Sequence, residues 1–298
     1  TNTVTNTDSA TIGGGAMNVI TTEADASTIG GGTNNTINNN SRSSTISGGH
    51  TNTIGTGALS VTIGGGNTND IGNDANYATI GGGLNNNIAA NSTNSAILGG
   101  TLNDLGATTG VTNAVIGGGN NNTINSTSRS STIGGGHTNT IGNASFSVTI
   151  GGGNSNDIGN TANYATIGGG NDNNIASFST GATISGGITN YISTTALNST
   201  IGGGINNNIG TTTDATVGGG NDNNIADGGN YATISGGRSN DIGTATDATI
   251  GGGNNNNIAD GANFGAILGG ADHDINGGTH NLIGGGLNNN ITTGNYNA

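Results

Sequence analysis

The 298-residue sequence predicts an all-β chain wound into a parallel β-solenoid, a β-roll of about seventeen coils of 17 residues, each with two short strands and an internal Asn ladder. Three observations predict it. A phrase returns every 15 to 18 residues, most often 17: Ala/Ser-Thr-Ile-Gly-Gly-Gly, four further residues, then Ile, with Asn two places before that Ile. It reads Thr62-Ile63-Gly64-Gly65-Gly66 with Asn69-Asp70-Ile71, and again Thr249-Ile250-Gly251-Gly252-Gly253 with Asn256-Asn257-Ile258. The phrase fills the chain with no linker or compositional shift, and its Ile stays in register, which disordered Gly- and Asn-rich sequence has no reason to do.

The first strand of a coil is Ala78-Thr79-Ile80. Side chains alternate across a strand, so Ala78 and Ile80 share the inner face and Thr79 points outward. Gly81-Gly82-Gly83 makes the turn, where positive φ or a close backbone approach costs least. In the second strand Asn86 and Ile88 face inward, and Asn85 and Asn87 look away. Residues rich in Asn, Asp, Gly and Ser make the return turn.

Stacking such coils about 4.8 Å apart gives parallel in-register sheets and a rod on the order of 80 Å long. The inward Asn then forms a ladder of Asn18, Asn35, Asn52, Asn69, Asn86, Asn103, Asn122, Asn139, Asn156, Asn173, Asn190, Asn207, Asn223, Asn240, Asn256 and Asn289, interrupted only by His273. An amide both donates and accepts, whereas stacked buried carboxylates would repel, so Asn and not Asp is expected there. The outward Thr forms a second rank of Thr28, Thr45, Thr62, Thr79, Thr132, Thr149, Thr166, Thr183, Thr200, Thr216, Thr233 and Thr249. It is the one regularly repeated feature free to recognise a surface.

Two coils depart from the phrase, Ala96-Ile97-Leu98-Gly99-Gly100 and Ala266-Ile267-Leu268-Gly269-Gly270. They read as Ile in place of the outward Thr, followed by a segment to Leu105 or Ile275 one residue shorter, which implies a bulge. A longer repeat is also present: Ser41-Arg42-Ser43-Ser44-Thr45-Ile46 recurs as Ser128-Arg129-Ser130-Ser131-Thr132-Ile133, so blocks of coils have been duplicated whole. One continuous domain over residues 1–298 is expected. Asn2-Thr3-Val4 matches the second half of a coil and Asn295-Tyr296 matches the lead-in Asn76-Tyr77, so the array reads as uncapped at both ends, a segment of a longer fibre or a subunit stacking end to end.

Composition narrows the function. Charged residues are 6%, the net charge is -13, and three scattered Arg with no Lys cannot make the basic surface that nucleic acid or an anionic membrane needs. Without Cys there are no disulfides or thiolate metal sites, and no apolar run is long enough for membrane insertion. No nucleophile, base and orienting acid recur together, so neither enzyme activity, cofactor nor metal is expected. In Asp272-His273-Asp274 neighbouring side chains alternate faces and do not converge on one ion. Two buried Ile in each coil are little apolar area for ordering about 17 residues, which favours several chains sharing an axis as a homotrimer.

The Ala/Ser-Thr-Ile-Gly strand with its Gly turn resembles the head repeats of trimeric autotransporter adhesins and similar arrays in phage tail fibres. That resemblance implies a left-handed β-roll, three chains side by side, and attachment to a host. Gly-Gly-Gly-x-x-Asn-x-Ile is similar to the calcium-binding nonapeptide of RTX β-rolls, but Asn replaces the ligating Asp at nearly every coil, so regular calcium binding is not expected. The half-coil Asn52-Thr53-Ile54-Gly55 is similar to the repeat of grass antifreeze proteins, whose likeness implies ice binding by the Thr rank. The leading expectation is a non-enzymatic extracellular fibre segment at a cell surface or on a virion, acting as a rigid spacer or attachment rod. Its partners would be itself, as homotrimer or end-to-end filament, and a cell-surface receptor or glycan; ice binding is the alternative.

Overall fold

The computed structural model describes residues 1–106 and 109–297; residues 107, 108 and 298 of the expected domain lie outside it. The chain is an all-β parallel β-solenoid of about 17 turns, with no helix among the described residues. It divides into two compact units, Thr1–Gly153 and Asn154–Ala298.

In the first unit the first strands Thr28–Ile29, Thr45–Ile46, Thr62–Ile63 and Thr79–Ile80 pair in parallel, Thr on Thr and Ile on Ile. The second strands Thr36–Ile37, Thr53–Ile54, Asp70–Ile71 and Asn87–Ile88 pair in the same way. The second unit repeats both sheets, for instance Thr166–Ile167 with Thr183–Ile184 and Asn174–Ile175 with Tyr191–Ile192. A third line of contact follows the glycine turn, where single residues bridge in parallel: Leu84 to Thr101 in the first unit, Ile188 to Ile205 in the second.

The strands are two residues long because corners interrupt them, and the corners share one rule. At most corners the residue before the inward side chain has positive φ, as at Asn85 (55°), Asn91 (62°) and Asn94 (55°), ahead of Asn86, Ser92 and Ser95. This flips the peptide. Strand residues donate their N–H to the following coil, Thr79 to Ser95 O at 3.0 Å and Asn87 to Asn103 O at 2.9 Å. Corner residues donate backward instead, Asn85 to Asn67 O at 2.9 Å and Asn94 to Asn76 O at 2.9 Å. The second unit follows suit, with Thr200 donating forward to Ala215 O and Asn206 backward to Ile188 O, both at 2.9 Å.

The core is closed within one chain. Ile63, Ile71, Ile80 and Ile88 are wholly buried, as are Ile167, Ile175, Ile184 and Ile192. The return segment does more than turn: it sends two small side chains inward in each regular coil, such as Ala75 and Ala78, Ser92 and Ser95, or Ala162 and Ala165. These pack beside the Ile pair, so each coil buries more than its two Ile.

The two irregular coils are not as expected. Ile97 is fully buried and pairs with Ile80 and Ile116, so it is a core residue, and Ala96 takes the outward Thr position opposite Thr79. Leu98 replaces the first Gly and is 61% exposed. Ile267 is likewise buried, with Ala266 on the outer rank and Leu268 exposed. Ile97 to Leu105 spans the same eight positions as Ile80 to Ile88, and Leu105 and Ile275 pair in register with Ile88 and Ile258, so no residue is missing and no bulge forms. The shorter segment expected from the sequence is a Leu in place of the first Gly, which leaves only two glycines in the turn.

Candidate functional site

Two repeated surfaces organise the coil: the amide ladder inside it and the Thr rank outside. Apart from Asn289, every expected ladder residue is fully buried. At Asn86 the backbone N–H, turned back by the left-handed Asn85, donates to Asn69 Oδ1 at 3.0 Å. The Nδ2 group shares its hydrogens among Asn69 Oδ1 at 3.1 Å, Gly82 O of its own coil at 3.0 Å and Gly100 O of the next at 3.0 Å. Asn86 Oδ1 in turn accepts from Asn103 N at 3.1 Å and Asn103 Nδ2 at 3.2 Å. In the second unit Asn207 repeats this between Asn190, Gly203, Gly220 and Asn223.

The ladder is therefore more than amide on amide. The flipped corner leaves a buried N–H facing backward, and the side-chain oxygen one coil earlier receives it. Ser does the same on the return side: Ser44 N donates to Ser27 Oγ at 3.1 Å and Val61 N to Ser44 Oγ at 3.2 Å. His273 copies only half of the role. Its Nδ1 accepts Asn289 N–H at 3.1 Å, while Nε2, crowded against Gly270, has no partner among the described residues.

The third Gly of the turn is required by the same geometry. A Cβ on Gly66 (φ 90°) would overlap the Gly83 carbonyl of the next coil and lie 2.7 Å from Asn69 Nδ2.

The Thr rank stands in register on the first-strand face. Thr28, Thr45, Thr62 and Thr79 continue into Ala96, Val115, Thr132 and Thr149 in the first unit. Thr166, Thr183, Thr200, Thr216, Thr233 and Thr249 continue into Ala266 and Leu282 in the second. Thr62 and Thr149 are exposed and the other Thr of the rank half-buried. Hydrogen bonds of described threonine hydroxyls lie elsewhere, as at Thr51 and Thr68, leaving the rank's own hydroxyls free.

The second-strand face is mixed. It presents Thr36, Thr53, Asp70, Asn87, Asp104, Thr123 and Thr140 in the first unit and Asp157, Asn174, Tyr191, Asn208, Asn224 and Asp241 in the second. Loss of hydration among packed neighbours raises the Asp70, Asp104 and Asp157 carboxyls above their ordinary value; a hydrogen bond from Asn87 Nδ2 at 2.7 Å partly opposes this at Asp104. Among the described residues no three His, Cys, Asp or Glu side chains gather as a metal site. A surface hollow of about 360 Å³ is lined by Val4, Asn6, Thr7, Asp8, Glu23 and Asp25.

Several structural residues escaped the sequence reading. Asn2 begins the ladder, its Oδ1 accepting Asn18 N at 3.0 Å. Asn281 and Asn297 start a second ladder on the return side, with Asn297 N donating to Asn281 Oδ1 at 3.0 Å and Asn281 Nδ2 donating to Gly277 O at 2.9 Å. The signal was present: Gly277-Gly278-Thr279-His280-Asn281-Leu282-Ile283 is the same Gly-Gly-x-x-Asn-x-Ile phrase, half a coil out of phase. Compared with known proteins, the chain matches no family model and no curated protein.

Proposed function

We propose that this chain is a non-enzymatic structural segment of an extracellular fibre, at a cell surface or on a virion, acting as a rigid spacer or attachment rod. The observation that carries this reading is the sameness of successive coils. Apart from Leu105 and Val217 in the Ile rows and His273 in the ladder, successive coils meet through the same Ile pair, amide or hydroxyl bonds and corners, and among the described residues no three His, Cys, Asp or Glu side chains gather as a metal site. A catalyst or ligand carrier needs one distinct site, whereas a spacer needs many equal steps. Resemblance of the repeat to adhesin heads and tail fibres supports the same conclusion, with further copies of the chain and a receptor or glycan as partners. Electron microscopy tests it: narrow rods of uniform width are expected, and rounded particles would overturn it.

A second reading, ice binding, is favoured by one specific observation: a rank of unbonded Thr hydroxyls repeating in register on an outer face. Strong inhibition of ice recrystallisation that is lost in both Thr62→Tyr and Thr166→Tyr would place it first.

A further inference from the structure

We propose that the first-strand face is the surface through which the chain associates with a second copy of itself. This deepens the fibre reading and rests on it, by naming the surface and the partner.

Charge favours the face. The chain carries 16 acidic residues and a net charge of -13, yet none of its acidic residues or Arg falls within a Thr-Ile-Gly-Gly-Gly segment or its variants, in either unit. The second-strand face presents Asp70 and Asp104 in one unit and Asp157, Asp241 and Asp274 in the other. The corners carry Asp74, Asp172, Asp214 and Asp247. Two copies approaching through those sides bring like charges together, whereas the first-strand face lets them meet without that penalty, as does the bridging line beside the glycine turn in the first unit.

Relief and chemistry point the same way. Beyond each outward Thr lies Gly, or Ser at Ser47, Ser185 and Ser235, so the face is low and a second backbone can come close. The free Thr hydroxyls both donate and accept, which suits an identical rank opposite. Where the pattern breaks, it breaks toward apolar residues: Leu98 at 61% exposure and Val115 in the first unit, Leu268 at 59% and Leu282 at 37% in the second. Exposed leucines interrupt a hydroxyl rank meant for water or ice, but against a protein face they are anchors. A second copy supplies that surface.

Sedimentation across a concentration series, at low and physiological salt, tests the proposal. Wild-type chain is expected to associate below about 100 µM. The double variant Leu98→Asp, Leu268→Asp should weaken association at least about tenfold by placing charge on the face. Leu98→Ser, Leu268→Ser, which installs a residue other coils already carry there, should weaken it in the same direction and guards against misfolding. The double variant Thr36→Asp, Tyr191→Asp adds equal charge to the other face, at positions whose strand neighbours are not acidic, and should change nothing. A wild-type chain monomeric throughout, or an equal loss with Thr36→Asp, Tyr191→Asp, overturns the inference, as does a monomer whose ice-recrystallisation activity disappears with the Leu variants. Small-angle scattering separates the two ideas: a monomer that scatters as a stiff elongated particle leaves the spacer standing while self-association fails, and a flexible or rounded particle removes the spacer itself.

Discussion

A single inward Asn serves three polar tasks in a buried place. Replacing Asn86 by Ala strands Asn103 N–H and removes the donor shared by Gly82 and Gly100 carbonyls, so a loss of about 3 kcal/mol is expected in chemical denaturation. His273 predicts the opposite change. Its Nδ1 preserves the acceptor for Asn289, but nothing replaces the amide donors, so His273→Asn should stabilise the chain by about 1 kcal/mol, visible as a higher melting temperature. Asp70 gives a pH-dependent case. Its raised carboxyl pKa means that the folded chain binds this proton more readily than the unfolded one, so its contribution favours folding in acid and declines as pH rises through the raised value. Asp70→Asn, which matches Asn87 one coil on, should therefore be more stable than wild type at neutral pH, with the gap closing as pH falls below the carboxylate range. A gap independent of pH would contradict that account.

Corners and turns decide whether strands of two residues can exist at all. Left-handed φ suits Asn, as at Asn85 and Asn206, but some coils place a β-branched residue there; Thr189 has φ 56°. Thr189→Asn should gain about 1 kcal/mol, measured by denaturant melts. Gly66→Ala should fail in the other direction, because its Cβ meets backbone of the neighbouring coil, which cannot swing aside. At this scale the sequence was only partly legible. Strand faces, the Gly turn and the Asn ladder followed from alternation and spacing, since Ile and Asn recur at fixed separation. The return side was opaque: Ala75, Ala78, Ser92 and Ser95 look like turn composition, and small residues carry no hydrophobic period to mark them as inward. Leu98 misled for a related reason, since a large apolar residue beside a turn suggested a shifted strand, whereas only register in three dimensions shows it standing outside.

Across the whole molecule, the outward ranks were readable as positions but not as purposes. The Thr line is visible in sequence, while its contrast with the second-strand face, which mixes Asp and Asn with Thr, emerges only once the two strands are folded back over one inner row. Corners that send N–H groups in both directions make each coil a complete tile: whatever its surface residues, it offers the same donors and acceptors above and below. Coil number is then independent of coil chemistry. Removing residues 62–78 as one period should leave a folded chain with Val61 leading directly into Thr79 and Asn52 meeting Asn86, whereas removing half as many residues should abolish cooperative unfolding. Circular dichroism melts of the two deletions check this. Such interchangeable tiles explain how the block around residues 41–46 could be copied to 128–133 without repacking anything else: reach can be lengthened or shortened by recombination in whole steps, while the joints that hold it stay the same.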